Sequence, residues 1–126
     1  MVHDTKNFKV SEFACKHCGE NAIDQRIINM CQKIRDEIGV PVIVNSGYRC
    51  KFHNARVGGV KDSYHTHGLA ADLSCSKGAE RLYLTVQTLW VNGKLPELSW
   101  CKYYKKKNFV HIDIGKKRKN IFAVGD

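Results

Sequence analysis

Apolar residues recur at helical spacing through residues 24–38, where Ile27, Met30, Cys31, Ile34 and Ile38 share one stripe and Ile23 stands just before it. That period predicts an amphipathic helix with one buried face, and Gly39 is a natural stop. Residues 41–45 (PVIVN) are a short β-branched run of the kind expected in a buried strand. Residues 46–68 hold no periodic segment and are rich in Gly, His, Ser, Asn and Arg. A loop of that length in a compact domain is uncommon and is often functional. Residues 69–73 read as a second strand. The helical period returns over 76–90, with Ala79, Leu82, Val86 and Leu89 on the inner face and Asn92-Gly93 at the end. Two or three short strands follow, near 98–104, 109–114 and 120–124, and the opening residues 6–19 are turn-like with a short strand near Phe8. Two helices on one side of a small antiparallel or mixed sheet make an α+β domain, expected to span 1–126 with its site in a cleft on the sheet.

The length of 126 residues fits one core, and a chain of this size buries roughly two-thirds of its unfolded surface, so it needs no covalent staple. The even count of six cysteines is therefore expected to be mostly reduced thiols. Cys15-Lys16-His17-Cys18 has the spacing of half a zinc knuckle. A structural zinc site needs four ligands, and Cys50 or Cys101 could join only if the fold brings them near; otherwise the pair serves packing. No apolar stretch approaches the ~20 residues of a membrane-spanning helix, and the N-terminus MVHDTKNFKV lacks the apolar centre of a signal peptide. The expectation is a monomer made in the cytoplasm, without membrane insertion, that reaches any outside target by release or assisted export.

The formal net charge is +9, and Lys102, Lys105, Lys106, Lys107, Lys116, Lys117, Arg118 and Lys119 concentrate much of it. A surface this basic attracts polyanions, among them nucleic acid, anionic lipid and anionic cell-wall polymer, and charge alone does not choose among them.

The chemistry concentrates in Ser63-Tyr64-His65-Thr66-His67-Gly68-Leu69-Ala70-Ala71-Asp72 and Phe109-Val110-His111-Ile112-Asp113. A catalytic zinc ion takes three protein ligands and keeps one position open. Asp72 stands between Ala71 and Leu73, and His111 between Val110 and Ile112. On half-buried strands each would face away from its apolar neighbours, and Asp113 would share the face of His111. Adjacent strands place such residues about 5 Å apart, close enough to share an ion. By spacing alone these could also be unrelated polar strand residues.

The run S-G-Y-R-C-x-x-H-N-x-x-V-G-G-x-x-x-S-x-H-x-x-G-x-A-A-D from Ser46 to Asp72, followed by F-V-H-I-D from Phe109, resembles the zinc D-Ala-D-Ala carboxypeptidase family. More closely it is similar to the short subgroup of phage lysis enzymes and murein endopeptidases, as is the opening N-F-K-V-S-E-F-A-C from Asn7. The resemblance implies a peptidase with one catalytic Zn2+ held by His65, Asp72 and His111, acting on peptidoglycan stem peptides. It implies that Arg49 polarises the scissile carbonyl or binds the oxyanion, and that Ser63 lies near the substrate carboxylate or backbone; Tyr48 could line the cleft. Branches of the family place the general base at the position of Asn108 or of Phe109, and neither side chain can take a proton from water. Asp113 is the remaining candidate; it could instead orient a ligand from behind. Two other readings stay open. A relative that has lost catalysis would grip cell wall only. A basic nucleic-acid-binding module would account for the charge and the C-x-x-C, but would leave the His- and Asp-bearing motifs unexplained.

Overall fold

The computed structural model describes residues 1–126. In chain order the elements are α1 (Gln25–Ile38), β1 (Val42–Ser46), α2 (Lys51–Arg56), β2 (Ala70–Cys75), α3 (Ala79–Val91), β3 (Trp100–Tyr104), β4 (Phe109–Asp113) and β5 (Phe122–Gly125). Two 3-10 turns, Val10–Phe13 and Tyr64–His67, complete the set. The class is α+β, with a five-stranded mixed sheet ordered β1-β2-β4-β3-β5. Its neighbours are antiparallel except β3 and β5, which run parallel.

The first helix forms where its period predicts. Ile27, Ile28, Met30, Cys31, Ile34 and Ile38 are buried along one stripe. Asp24 opens it by accepting a hydrogen bond from the Arg26 backbone N–H at 2.8 Å, and Gly39 ends it in the left-handed conformation. Helix α3 packs against α1 and across β2, β3 and β4. Leu73, Val110, Ile112 and Cys101 point from the sheet into the same core as Leu82, Val86 and Leu89. The strands thereby divide their side chains by parity, apolar toward the helices and polar toward the opposite face.

Three details differ from the sequence-based expectation. The short strand expected near Phe8 is absent; residues Val10–Phe13 form a 3-10 turn instead, and Phe8 and Phe13 are buried as plugs in the core. The segment 46–68 is not wholly irregular, because it contains α2 and the Tyr64–His67 turn. Helix α2 has no apolar stripe, and its buried residue is Asn54, so hydrophobic periodicity gave no sign of it. The second long helix begins at Ala79 rather than 76, and its first backbone N–H is capped from another element: Asn108 Oδ1 accepts from Ala79 N at 3.0 Å. Asn108 sits in the β3–β4 turn at φ 55, a left-handed conformation that Asn tolerates better than most residues.

Candidate metal centre

Strand register brings the first pair of candidate ligands together. Asp72 of β2 is directly opposite His111 of β4, and both side chains leave the sheet on the face away from the helices. His111 Nδ1 lies 2.9 Å from Asp72 Oδ1. On the other flank of β2, the pairing with β1 shifts register between Val44 and Ser46, so that Ser46 comes to face Asp72. Such a bulge redirects the chain beyond it, and the residues redirected here are Gly47, Tyr48 and Arg49.

His65 arrives from the 3-10 turn. Ser63 caps that turn, its Oγ accepting from His65 N at 3.2 Å. Gly68 ends the turn with positive φ and presses against the entry to α1, where a Cβ would overlap the Ala22 carbonyl. The ring of His65 is 3% exposed. Its Nδ1–H donates to Gly47 O at 2.7 Å, and its Nε2 faces Asp72 Oδ1 at 3.2 Å.

The donor set fits a metal ion. Gly47 O fixes the proton of His65 on Nδ1, which leaves Nε2 as a lone pair. Asp113 Oδ2 accepts from His111 Nε2–H at 2.8 Å, which leaves Nδ1 as a lone pair. Those lone pairs and Asp72 Oδ1 aim at one another, all within 4.8 Å. Three acceptors turned inward in a mostly buried place call for a cation between them. Without a metal ion, protons must fill that role. Burial opposes a charged His111, but the hydrogen bonds with Asp113 and Asp72 outweigh it and raise its pKa to about 9. Burial likewise opposes the Asp72 carboxylate; the hydrogen bonds from His111 and His65 prevail and hold it well below the usual carboxylate range.

Arg49 closes one side. It donates from Nε to Ser46 Oγ at 3.0 Å, from Nη1 to Asn54 Oδ1 at 2.9 Å and from Nη2 to Asp72 Oδ2 at 3.1 Å. Asn54 is itself held by donating to Val60 O. Gly59 lies so close behind this pair that a Cβ would overlap Asn54 Oδ1. A guanidinium has five N–H donors, so two are left without a partner among these contacts.

The other residues singled out in the sequence take varied positions. Asp113 is 1% exposed and engaged on His111. Tyr48 is half-buried, and its phenol pKa is raised by burial and by Glu20, Cys18, Cys50 and Cys15, which places it on the cysteine side of Arg49. Tyr64 lies flat over Gly115 and accepts from Lys116 N at 2.9 Å. His67 is exposed and paired with Asp62 at the rim. Asn108 turns to the helix layer as a cap. Trp100 and Tyr104 of β3 were not singled out in the sequence, and Lys102 was noted only for its charge. Lys102 pairs directly with His111 across the strands, and Trp100 with Asp113. Burial first, and then the Asp72 charge, raises the Tyr104 phenol pKa, while Arg118 and Arg49 oppose the rise. Tyr104 also stacks on Phe109 at 4.6 Å between ring centres. A strand near 98–104 was expected from the sequence, but the register that sets β3 beside His111 was not legible there.

Comparison with curated proteins finds no match. The model of the family described as Peptidase M15 matches residues 6–113, which contain both the His65–Asp72 motif and the His111–Asp113 strand. With most of its length covered, the chain belongs to the Peptidase M15 family of zinc D-Ala-D-Ala carboxypeptidase-like metallopeptidases.

Proposed function

We propose that this metallopeptidase hydrolyses an amide bond in peptidoglycan stem peptides or cross-links, using one catalytic zinc ion held by His65 Nε2, Asp72 Oδ1 and His111 Nδ1. The observation that carries this reading is the convergence of those three acceptors beside Arg49. Zinc held there supplies Lewis acidity toward an amide carbonyl and a nucleophile from water near neutral pH. The remaining work falls to side chains already in place. Arg49 is preorganised by Ser46, Asn54 and Asp72, and its two free donors meet the charge that develops on the carbonyl oxygen. Asp113 holds the His111 ring and strengthens it as a ligand. Ser63, Tyr104 and Lys102 line the approach to the metal; Tyr48 meets the part of a substrate that extends past Arg49. The basic stretch from Lys102 to Lys119 holds the enzyme near anionic wall polymers. The enzyme would meet its substrate after release or assisted export.

A second reading has its own observation. The Asp113 carboxylate is engaged on His111 and Asn108 is engaged as a helix cap, as a wall-binding relative without turnover would allow. Incubation of the zinc-loaded protein with purified peptidoglycan separates the two. New stem-peptide fragments, stopped by chelation and restored by zinc, are the expected result, and their masses name the bond. Wall binding without fragments would favour the inactive relative. Charge reversal at Lys105, Lys106 and Lys107 should slow release from whole walls and spare a small soluble peptide.

A further inference from the structure

A second group of ligand atoms lies outside the centre described above. The Sγ atoms of Cys15, Cys18 and Cys50 all fall within 4.8 Å of one another. Tetrahedral zinc with Zn–S near 2.3 Å sets its sulfurs about 3.8 Å apart, so closing this triangle takes a shift of about 1 Å or less. All six cysteines are free thiols; Cys101 is wholly buried in the core, and Cys50 is the one the fold carries to the Cys15–Cys18 turn.

The surroundings are those of a thiolate site. Cys50 N–H donates to Cys15 Sγ at 3.4 Å, and His53 N–H donates to Cys50 Sγ at 3.3 Å. Two imidazoles stand beside the group. His17 Nδ1 is 3.8 Å from Cys50 Sγ, and the His53 ring stacks on that of His17 with centres 5.8 Å apart and planes 6° from parallel. In the chain, Cys15-x-x-Cys18 and Cys50-x-x-His53 are two halves with the same spacing. Core packing does not explain the group, since Cys18, His17 and Phe52 are exposed.

We infer that Cys15, Cys18 and Cys50, with one imidazole of the stacked His17–His53 pair, form a second, structural zinc site that pins the N-terminal segment to the loop carrying Arg49. Binding displaces the three thiol protons to solvent and involves no change of oxidation state. The mechanical consequence comes from chain connectivity: Cys50 is the neighbour of Arg49, so a fixed Cys50 sulfur limits how far the guanidinium can stray from Asp72.

Zinc content and thiol protection test this on the full chain. Wild type should carry two zinc equivalents, and His65→Ala and Cys18→Ser one each. Cobalt added to metal-free His65→Ala should give a thiolate-to-metal charge-transfer band that Cys18→Ser lacks. In unmutated protein, the exposed Cys18 should resist iodoacetamide until zinc is chelated, a readout that does not depend on a variant folding. His17→Ala or His53→Ala, whichever weakens zinc retention, identifies the fourth ligand; if neither does, the imidazole assignment is overturned. The site itself is overturned if wild type holds one zinc that survives Cys18→Ser, or if Cys18 alkylates equally fast with and without zinc. Loss of zinc in Cys18→Ser but not in His65→Ala would support this site while contradicting the catalytic one.

Discussion

His111 is held from both ends of its ring: Nε2 donates to Asp113 at 2.8 Å while Nδ1 faces Asp72 at 2.9 Å. The far carboxylate is nearly sealed from solvent, which suits a residue that positions a ligand rather than one that meets water. Asp113→Asn should therefore weaken zinc binding by roughly 10- to 100-fold with the fold intact. Competition with a chelator of known affinity measures it. Full zinc affinity with kcat alone reduced would instead assign Asp113 the proton-transfer role.

Because the folded pKa of His111 is raised to about 9, its protonation stabilises the metal-free protein fully below the unfolded value of about 6.5. That contribution is lost as pH climbs through about 9. Thermal melting of metal-free protein should accordingly fall between these values. Zinc must displace the same proton, so its affinity should rise over this window. Calorimetry near neutral pH in buffers of different ionisation enthalpy should show a proton released at the histidine–carboxylate centre. His65→Ala/His111→Ala, which leaves the thiolate cluster intact, supplies the background to subtract.

Arg49 touches Ser46, Asn54 and Asp72 through three different nitrogens. Lysine cannot reproduce that fork. Arg49→Lys should lower kcat by about 10²- to 10³-fold, the usual cost of removing an oxyanion donor, with catalytic zinc retained. Gly59→Ala should lower it in the same sense although every site residue is kept, since its Cβ would displace Asn54 and meet Arg49 Nη1 at 3.0 Å. Steady-state kinetics alongside zinc content check both.

Asn108 occupies a position where the sequence resemblance leads one to expect the general base, yet its amide oxygen caps α3 at Ala79. Asn108→Asp should keep the cap, leave stability within about 1 kcal/mol, and give no gain in kcat. Asn108→Ala should cost roughly 2–3 kcal/mol in denaturant unfolding, from the lost cap and the left-handed backbone together, with kcat unchanged. A rise in activity in the aspartate variant would mean that the side chain reaches the metal face after all.

How far these features can be read from the chain depends on whether they are local. The stripes of α1 and α3 are legible because a buried helical face repeats every few residues whatever it packs on. Asp72 and His111 are legible because each alternates with apolar neighbours in a short strand. Helix α2 is hidden: it is short, buries a polar residue, and is held by Arg49 and Val60 rather than by an apolar face. The bulge after Val44, the pairing of Lys102 with His111 and the approach of Cys50 to Cys15 all depend on long-range register, which a one-dimensional pattern does not contain. Phe8 reads as strand in the sequence for a related reason. Its apolar character reports burial, and burial here comes from a 3-10 turn laid across the core.

The most direct measurement takes zinc content and fragment release together, on wild type and His65→Ala, with purified peptidoglycan as substrate. The structure predicts that the variant loses one zinc equivalent and all release of stem-peptide fragments while its thermal unfolding stays cooperative. If wild type and His65→Ala hold the same metal and release the same fragments, His65 is not a ligand, and the metal centre at Asp72 and His111 is contradicted.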